Sequence, residues 1–318
     1  MVDVGHGNTS VIHDGALCLV VDAPLGPTIV ETLRSEGVDR VRLAIASHSD
    51  ADHLGGLIAL LLSDIAVDEV RCNPDAQRRS AFWYDFLVAA KRARATHGTR
   101  IRTELTTETT PDLVFGDVRI EVLHPPGDLA LSGTGGEAAD GRILDSNTLS
   151  AVLRVLADGH PLALLTGDLD VAGLEDLTSS GADLTAPVLV FPHHGGLAGT
   201  RSEERLREFA ETLAAKVAPE TIVFSFSRGK HRNPLPAIIE GVRRGAPRAS
   251  IACTQLSKRC SDDQLLPTLD HLSARFSLGH ARGTCCAGTL VFGPASFRHP
   301  DHDSHQAAIA HLRERLCR

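Results

Sequence analysis

The polarity pattern divides the chain into short apolar runs and longer mixed ones. Continuous apolar runs at 16–21, 162–165 and 188–191 are of strand length and read as buried strands, and 41–46, 67–72, 118–123 and 221–225, which carry one to three polar residues each, read as strands too. Residues 9–13, 100–105, 290–292 and the stretch ending at Leu156 predict further strands. Asp14-Gly15 between two apolar runs predicts a hairpin. Helices are predicted at 27–36, which starts on Pro27 and stops at Gly37, and at 54–62, which is apolar almost throughout. They are also predicted at 237–244, at 306–316 and at roughly 77–97, a basic amphipathic stretch carrying Phe82, Trp83 and Phe86. Ser132-Gly133-Thr134-Gly135-Gly136 reads as a flexible join between two halves.

At 318 residues the chain can bury a sizeable core as one elaborated domain. Its start has no signal-peptide pattern, and the longest apolar region, 54–67, is interrupted by Ser63 and Asp64 and is too short to span a bilayer. The expected setting is therefore soluble and cytoplasmic, with no membrane partner. Seven cysteines, an odd number scattered from Cys18 to Cys317, fit reduced thiols better than a disulfide framework. A net charge of −8 argues against general affinity for nucleic acid, and 4% aromatics leave little for base stacking. The distribution of charge changes that picture. Seven Lys or Arg fall between Arg78 and Arg102 against Asp85 alone, and six between Arg228 and Arg248 against Glu240 alone. Two such segments suit a phosphate-binding groove, or simply solvated helix faces.

The candidate chemistry is concentrated in Ser47-His48-Ser49-Asp50-Ala51-Asp52-His53-Leu54-Gly55-Gly56, two imidazoles and two carboxylates within six residues on a strand-to-helix loop. Imidazole nitrogen with carboxylate oxygen suits zinc, manganese or iron, and two ions need more ligands than one loop holds. Gly55 and Gly56 let the helix start sit close to whatever the loop binds. Two further predicted strands end in metal-ligating types, one in Thr166-Gly167-Asp168 and one in Pro192-His193-His194-Gly195-Gly196. Adjacent side chains at a strand end point oppositely, so one of His193 and His194 is expected to bind while the other packs. Near the C-terminus, Cys253, Cys260, Cys285 and Cys286, with His271 and His280 between them, offer a structural zinc site without the tight Cys-x2-Cys knuckle; buried apolar thiols are the alternative.

His48-x-Asp50-x-Asp52-His53 followed by two glycines resembles the metal loop of the metallo-β-lactamase superfamily, in the form associated with the soluble hydrolase domain of ComEC-type competence proteins and their stand-alone relatives. Asp3-Val4-Gly5-His6-Gly7-Asn8 looks like the Asp-Val-Gly-Gln-Gly-Asp opening of those domains, and Asp22 sits where the superfamily keeps a carboxylate that braces the metal loop. His6 read on its own is a turn residue. The resemblance implies a four-layer αββα sandwich over 1–250, with 251–318 as an extension packed on it. It implies two divalent transition-metal ions, zinc or manganese, held by His48, Asp50, Asp52, His53, Asp168 and His194, with Asp168 as the bridging carboxylate. Asn147 occupies the approximate place of a family histidine, so Asp145, Asn147 and His193 are additional candidates. His124 is expected to brace structure.

The expected activity is metal-dependent hydrolysis by a metal-bound hydroxide, with Asp52 in the catalytic group, His231 protonating the leaving group, and Lys230 and Arg232 on phosphate oxygens. The resemblance and the basic segments favour a phosphodiester, hence a nuclease or phosphodiesterase with nucleic acid as substrate, in a competence or phage-defence setting with a partner protein. Hydrolysis of a small lactone, thioester or amide is the alternative, and a partner-binding component with a weakened metal site is a third reading.

Overall fold

The computed structural model describes residues 1–73, 81–229, 231–262, 265–297 and 301–317. In chain order the strands are β1 (Ser10–Asp14), β2 (Leu17–Val21), β3 (Arg40–Val41), β4 (Leu43–Ala46), β5 (Ala66–Val67), β6 (Glu69–Cys72) and β7 (Arg100–Arg102). They continue with β8 (Val114–Phe115), β9 (Val118–His124), β10 (Val152–Ala157), β11 (His160–Leu165), β12 (Val188–Val190), β13 (Thr221–Phe224) and β14 (Ser250–Cys253). The first sheet runs β1-β2-β4-β6-β7 and the second β14-β13-β12-β11-β10-β9-β8, with β3 and β5 as a separate ribbon. The helices are α1 (Thr28–Ser35), α2 (Ala51–Leu62), α3 (Ala81–His97), α4 (Gly127–Ser132), α5 (Val171–Ser179), α6 (Glu203–Val217), α7 (Pro236–Gly245), α8 (Leu278–Ala281) and α9 (His302–Ile309).

Period-two alternation assigns the layers. Leu19, Val21, Leu43 and Ile45 face inward and meet Ile120, Val122, Leu153, Val155 and Leu165 of the second sheet. The intervening Val20, Ala44 and Ala46 face outward onto α1, α2 and α3 through Leu33, Leu57 and Phe86. On the far side Leu164, Leu189, Ile222 and Ile251 pack against α5, α6 and α7 through Leu177, Phe209 and Ile238. Helix, sheet, sheet, helix is the expected αββα order.

Several local expectations are corrected. The runs 41–46 and 67–72 each break in two, at Arg42 and Asp68, because β3 and β5 pair with each other outside the first sheet; Asp68 lies 2.7 and 2.8 Å from Arg40 and Arg42 at the break. The change of sheet falls between β7 and β8, not at 132–136. There the chain forms a hydrogen-bonded turn, with Gly135 N–H donating to the Leu144 carbonyl and Leu144 N–H to that of Gly136. Residues 290–292 make no regular strand, although Leu290 N–H donates to the Met1 carbonyl. The last helix starts at His302, capped by the Asp301 side chain, and ends at Ile309. The part of the predicted basic helix at 77–80 lies outside the described residues.

β2, β4 and β6 are parallel to one another, and so are β11 to β14. Their C-terminal ends therefore deliver Asp22, Ser47-His48, Asp168, His193-His194 and residues 225–229 to one edge of the sandwich.

Candidate metal centre

The 47–56 stretch is less of a loop than the sequence suggests. Helix α2 begins at Ala51 with Asp50 at its N-cap position, so Asp52 and His53 stand in the first helical turn. The glycine pair admits a neighbouring chain segment, not the ligand. A Cβ on Gly56 would meet the Pro24 carbonyl and lie 2.7 Å from Ala23 Cβ, and one on Gly55 would be 3.0 Å from Leu25. Residues 22–25 are stitched there, Ala23 N–H donating to the His53 carbonyl at 2.6 Å and Leu25 N–H to that of Ala51 at 3.0 Å. The segment so fixed carries Asp22. One of its carboxylate oxygens accepts from Ser47 N–H at 2.7 Å, and the other accepts from Ser47 Oγ and faces His53 Nδ1, both at 2.8 Å.

Among the described residues two groups of potential ligands form, His48, His53 and Asp168 in one, His6, Asp52 and His194 in the other, each with its ligand atoms within 4.8 Å of one another. Asp168 Oδ1 links them, 3.2 Å from His53 Nε2 and 3.9 Å from His194 Nε2. Asp52 Oδ2 lies 3.0 Å from His6 Nε2 and 3.7 Å from His194 Nε2. The opposite ring nitrogens are anchored: His53 Nδ1 on Asp22, His194 Nδ1 2.8 Å from the Ser225 carbonyl, and His48 Nδ1 3.2 Å from Ser47 Oγ. That leaves the Nε2 atoms of His48 and His194 buried without a hydrogen-bond partner and aimed inward. Imidazoles locked at one nitrogen by a carboxylate or carbonyl, with the other nitrogen unsatisfied beside carboxylates, suit divalent transition ions.

Electrostatics agree. Burial, with His53 adding to it, pushes His48 well below its ordinary pKa, so the ring is neutral and its lone pair available. Burial opposes a charge on His53, yet Asp168 and Asp22 on either side raise it well above the usual range, so this position selects a cation. Burial likewise opposes ionisation of Asp52 and Asp168. The histidines around them outweigh it and hold both carboxyls well below the usual range.

The other candidates named from the sequence fall outside the two groups. Asp50 Oδ2 lies 3.8 Å from His48 Nε2, with the side chain one-third exposed. Asp145 is exposed and spends one oxygen on the turn, accepting from the N–H groups of Asn147 at 2.8 Å and Thr148 at 2.9 Å. Asn147 Oδ1 is buried without a partner. His193 and His194 do not splay from a strand end. Both take left-handed backbone, φ 51° and 56°, in a turn that places His193 N–H 3.2 Å from Asp168 Oδ1 and His193 Nδ1 3.5 Å from Oδ2. His124 braces structure, its Nε2 2.7 Å from the Thr148 carbonyl.

His6 was missed as a ligand candidate. Its one signal was the Gly-His-Gly turn, and Gly7 explains why it works: at φ 127° a Cβ there would lie 2.6 Å from both the Asp52 carbonyl oxygen and Pro24 Cβ, so only glycine lets the His6 turn lie against α2.

Some cations of the basic segments are tied into the fold, while Lys91, Arg92, Arg94 and Arg248 are exposed. The buried Arg228 donates to the Leu256 and Ser261 carbonyls at 2.8 Å and to that of Asp262 at 3.0 Å. Arg100 and Arg102 pair with Glu69, and Arg207 and Arg244 bind α6 to α7 through Glu240 and Glu211. At the site mouth His231 is exposed and stacks obliquely on His6, ring centroids 5.2 Å apart. Beside it Arg232 meets Asp262 at 2.7 Å in an exposed pair, and Arg259 Nε donates to the Arg232 carbonyl at 2.6 Å. Lys230, Arg78 and Arg79 lie outside the described residues. The expected cysteine grouping does not assemble as a set of four, because the Cys285 thiol turns away to Ser277 Oγ at 3.0 Å and Asp3 Oδ2 at 3.5 Å.

Residues 2–143 match the profile of the metallo-beta-lactamase superfamily. Competence protein ComA of Neisseria gonorrhoeae is 29% identical over 198 residues, which are 61% of this chain but 23% of that protein, so the chain matches less than a quarter of its curated relative. A metallo hydrolase from the hyperthermophilic archaeon Ignicoccus hospitalis superposes with a TM-score of 0.45 at 15% identity, over 78% of this chain and 92% of that one. A diphosphatase of the PhnP family superposes with a TM-score of 0.39 at 12% identity, over 73% and 79%.

Proposed function

We propose that this chain, which carries a metallo-β-lactamase superfamily domain, is a metal-dependent phosphodiesterase acting on nucleic acid. The observation that carries the proposal is the placement of His231 against His6 at the mouth of the paired ligand groups, with Arg232 and Arg259 beside it. A hydrolase of phosphodiesters needs a proton for the leaving oxygen and cations for the non-bridging oxygens, and this rim offers both.

His48, His53 and Asp168 would hold one divalent ion, His6, Asp52 and His194 the other, with Asp168 shared. Zinc or manganese, when bound, supplies Lewis acidity and lowers the pKa of bound water. The chain's own residues do the rest. Asp22 and the Ser225 carbonyl fix ring orientation, His193 N–H steadies Asp168, and His231 donates a proton to the departing oxygen. The absence of disulfides among its seven buried cysteines suits a reducing, cytoplasmic setting.

A second reading, a small-molecule lactone or thioester hydrolase, is favoured by two exposed leucines close in sequence to ligand and brace residues, Leu25 three residues after Asp22 and Leu197 three after His194. The test is a substrate panel on zinc- and manganese-loaded protein: bis-(p-nitrophenyl) phosphate, single- and double-stranded DNA and RNA, and small lactones and thioesters. Cleavage of the phosphodiesters that disappears in Asp168→Ala supports the proposal. Turnover of only the lactones or thioesters moves the second reading ahead. No turnover with less than half an equivalent of metal bound leaves the binding-component reading.

A further inference from the structure

Asp3 belongs to neither ligand group and is fully buried. A carboxylate removed from water needs donors on both oxygens, and those it finds come from two parts of the chain. Oδ1 accepts from Gly5 N–H at 3.2 Å and from Gln255 Nε2 at 3.0 Å. Oδ2 accepts from Ser277 Oγ at 2.6 Å and Gly279 N–H at 2.8 Å, with the Cys285 thiol at 3.5 Å. Gly5 is the neighbour of His6, whereas the other four donors belong to the segment after β14.

Gln255, also buried, carries the connection further. Its Oε1 accepts from Arg228 N–H at 3.0 Å and from Thr284 Oγ1 at 3.1 Å. The same segment grips the chain on the far side of His231, where Ser257 Oγ donates to the Asn233 carbonyl at 2.6 Å and Arg259 Nε to that of Arg232. His231 thus stands between two stretches fixed by residues 255–259, and its ring meets that of His6, which follows the turn anchored on Asp3.

We propose that Asp3 and Gln255 are positioning residues that set His6 as a ligand and His231 as a proton donor from one shared hydrogen-bonded hub, so that the C-terminal segment is a working part of the catalytic site. The inference rests on the ligand role of His6 and the proton-donor role of His231. Fastening the C-terminal segment alone would need only the contacts of Asp3 with Ser277, Gly279 and Thr289. It would not engage both ends of the Gln255 amide, one on the carboxylate and the other on the backbone leading to His231.

The two residues divide the work. Asp3 acts on His6: in Asp3→Asn the amide nitrogen faces the N–H of Gly5 or that of Gly279 whichever way it turns, and one of these anchors is lost. Gln255 acts on His231: Gln255→Met keeps the length, leaves Gly5, Ser277 and Gly279 on Asp3, and strips the Arg228 N–H of its acceptor.

Zinc-loaded Asp3→Asn should fall from two ions per chain toward one in a chelator titration. Gln255→Met should keep both ions and lose roughly tenfold to a hundredfold in kcat on a dinucleotide, whose alkoxide leaving group needs a proton, while bis-(p-nitrophenyl) phosphate, whose phenolate leaves without one, changes by less than about threefold. His6→Ala and His231→Ala are the comparison variants. If His231→Ala lacks that selectivity, or the parent cleaves no phosphodiester, the proton-donor role has failed and the metal content of Asp3→Asn decides the hub. If His6→Ala keeps two ions, the ligand role has failed and the selectivity of Gln255→Met decides it. Failure of both roles removes the proposal with them. When both comparison variants behave as assigned, two ions held as tightly as in the parent by Asp3→Asn overturn the proposal. So does an equal loss on both substrates in Gln255→Met, the mark of a purely structural role. Should Asp3→Asn fail to fold, Gln255→Met decides alone through the two substrates.

Discussion

A carboxylate oxygen of Asp22 lies 2.8 Å from His53 Nδ1, and the same ring presents Nε2 to Asp168 at 3.2 Å, so one buried imidazole is held between two carboxylates from opposite sheets. Asp22 at the end of β2 thereby sets the orientation of a ring that begins in α2 and ends against β11. Carboxylate partners behind ligating histidines typically contribute about 10–100-fold in metal affinity. Asp22→Asn should weaken binding by that factor in a chelator competition. Unchanged affinity would mean that packing alone orients His53.

His6→Ala should reduce bound metal from two ions per chain toward one, because it removes a ligand from the Asp52 and His194 group and touches nothing in the other. Elemental analysis after zinc loading and desalting reads this directly. Retention of two ions would show that His6 only lines the rim.

Asp168→Ala should abolish hydrolysis, by more than about three orders of magnitude, since several kcal/mol of transition-state stabilisation rest on paired ions. The fold should survive, because Asp168 lies at the sandwich edge and its loss opens no cavity in the core. Circular dichroism matching the unsubstituted protein together with full activity would place the shared ligand elsewhere.

The core strands were legible because β2 and β4 are apolar at every position, the mark of strands covered on both faces, whereas the layer order came from the family resemblance. The strand ends at Asp168 and His193-His194 were legible for the same reason. What pattern could not supply was side-chain direction off regular structure. Arg228 and Arg232 look equivalent in sequence, yet one is buried on three carbonyls and the other is exposed. Cys285 and Cys286 are likewise adjacent and face different neighbourhoods. The runs 41–46 and 67–72 divided because β3 and β5 pair with each other across the chain, a pairing no local window contains.

Acid should destabilise the protein through His124. Burial lowers its pKa below the ordinary value, outweighing the Thr148 carbonyl that raises it. The unfolded chain therefore binds a proton that the folded chain does not. The contribution of this group is full above its unfolded pKa and is lost as pH falls toward the lowered folded value, with a slope of up to about 1.4 kcal/mol per pH unit. His124→Gln should flatten denaturant midpoints measured between pH 7 and pH 5; an equally steep dependence would assign it to other histidines.

The phosphate rim makes the sharpest distinction between the two substrate readings. Arg232 and Arg259 sit together beside His231, and the Asp262 partner of Arg232 is itself exposed, so that pair holds the guanidinium only weakly against a phosphate competitor. Each phosphate neutralised on binding releases counterions, so the slope of log affinity against log salt counts contacts at roughly 0.7–0.9 apiece. Arg232→Ala combined with Arg259→Ala should therefore reduce the slope for single-stranded DNA by about 1.5. The experiment is run on the metal-loaded Asp168→Ala protein, so that no substrate is consumed. Loss of affinity with an unchanged slope would point to a distorted site mouth around His231 and not to lost phosphate contacts. A binding constant indifferent to salt in the parent protein would remove the nucleic-acid reading altogether, since an acidic chain that holds a polyanion can do so only through local cations such as these.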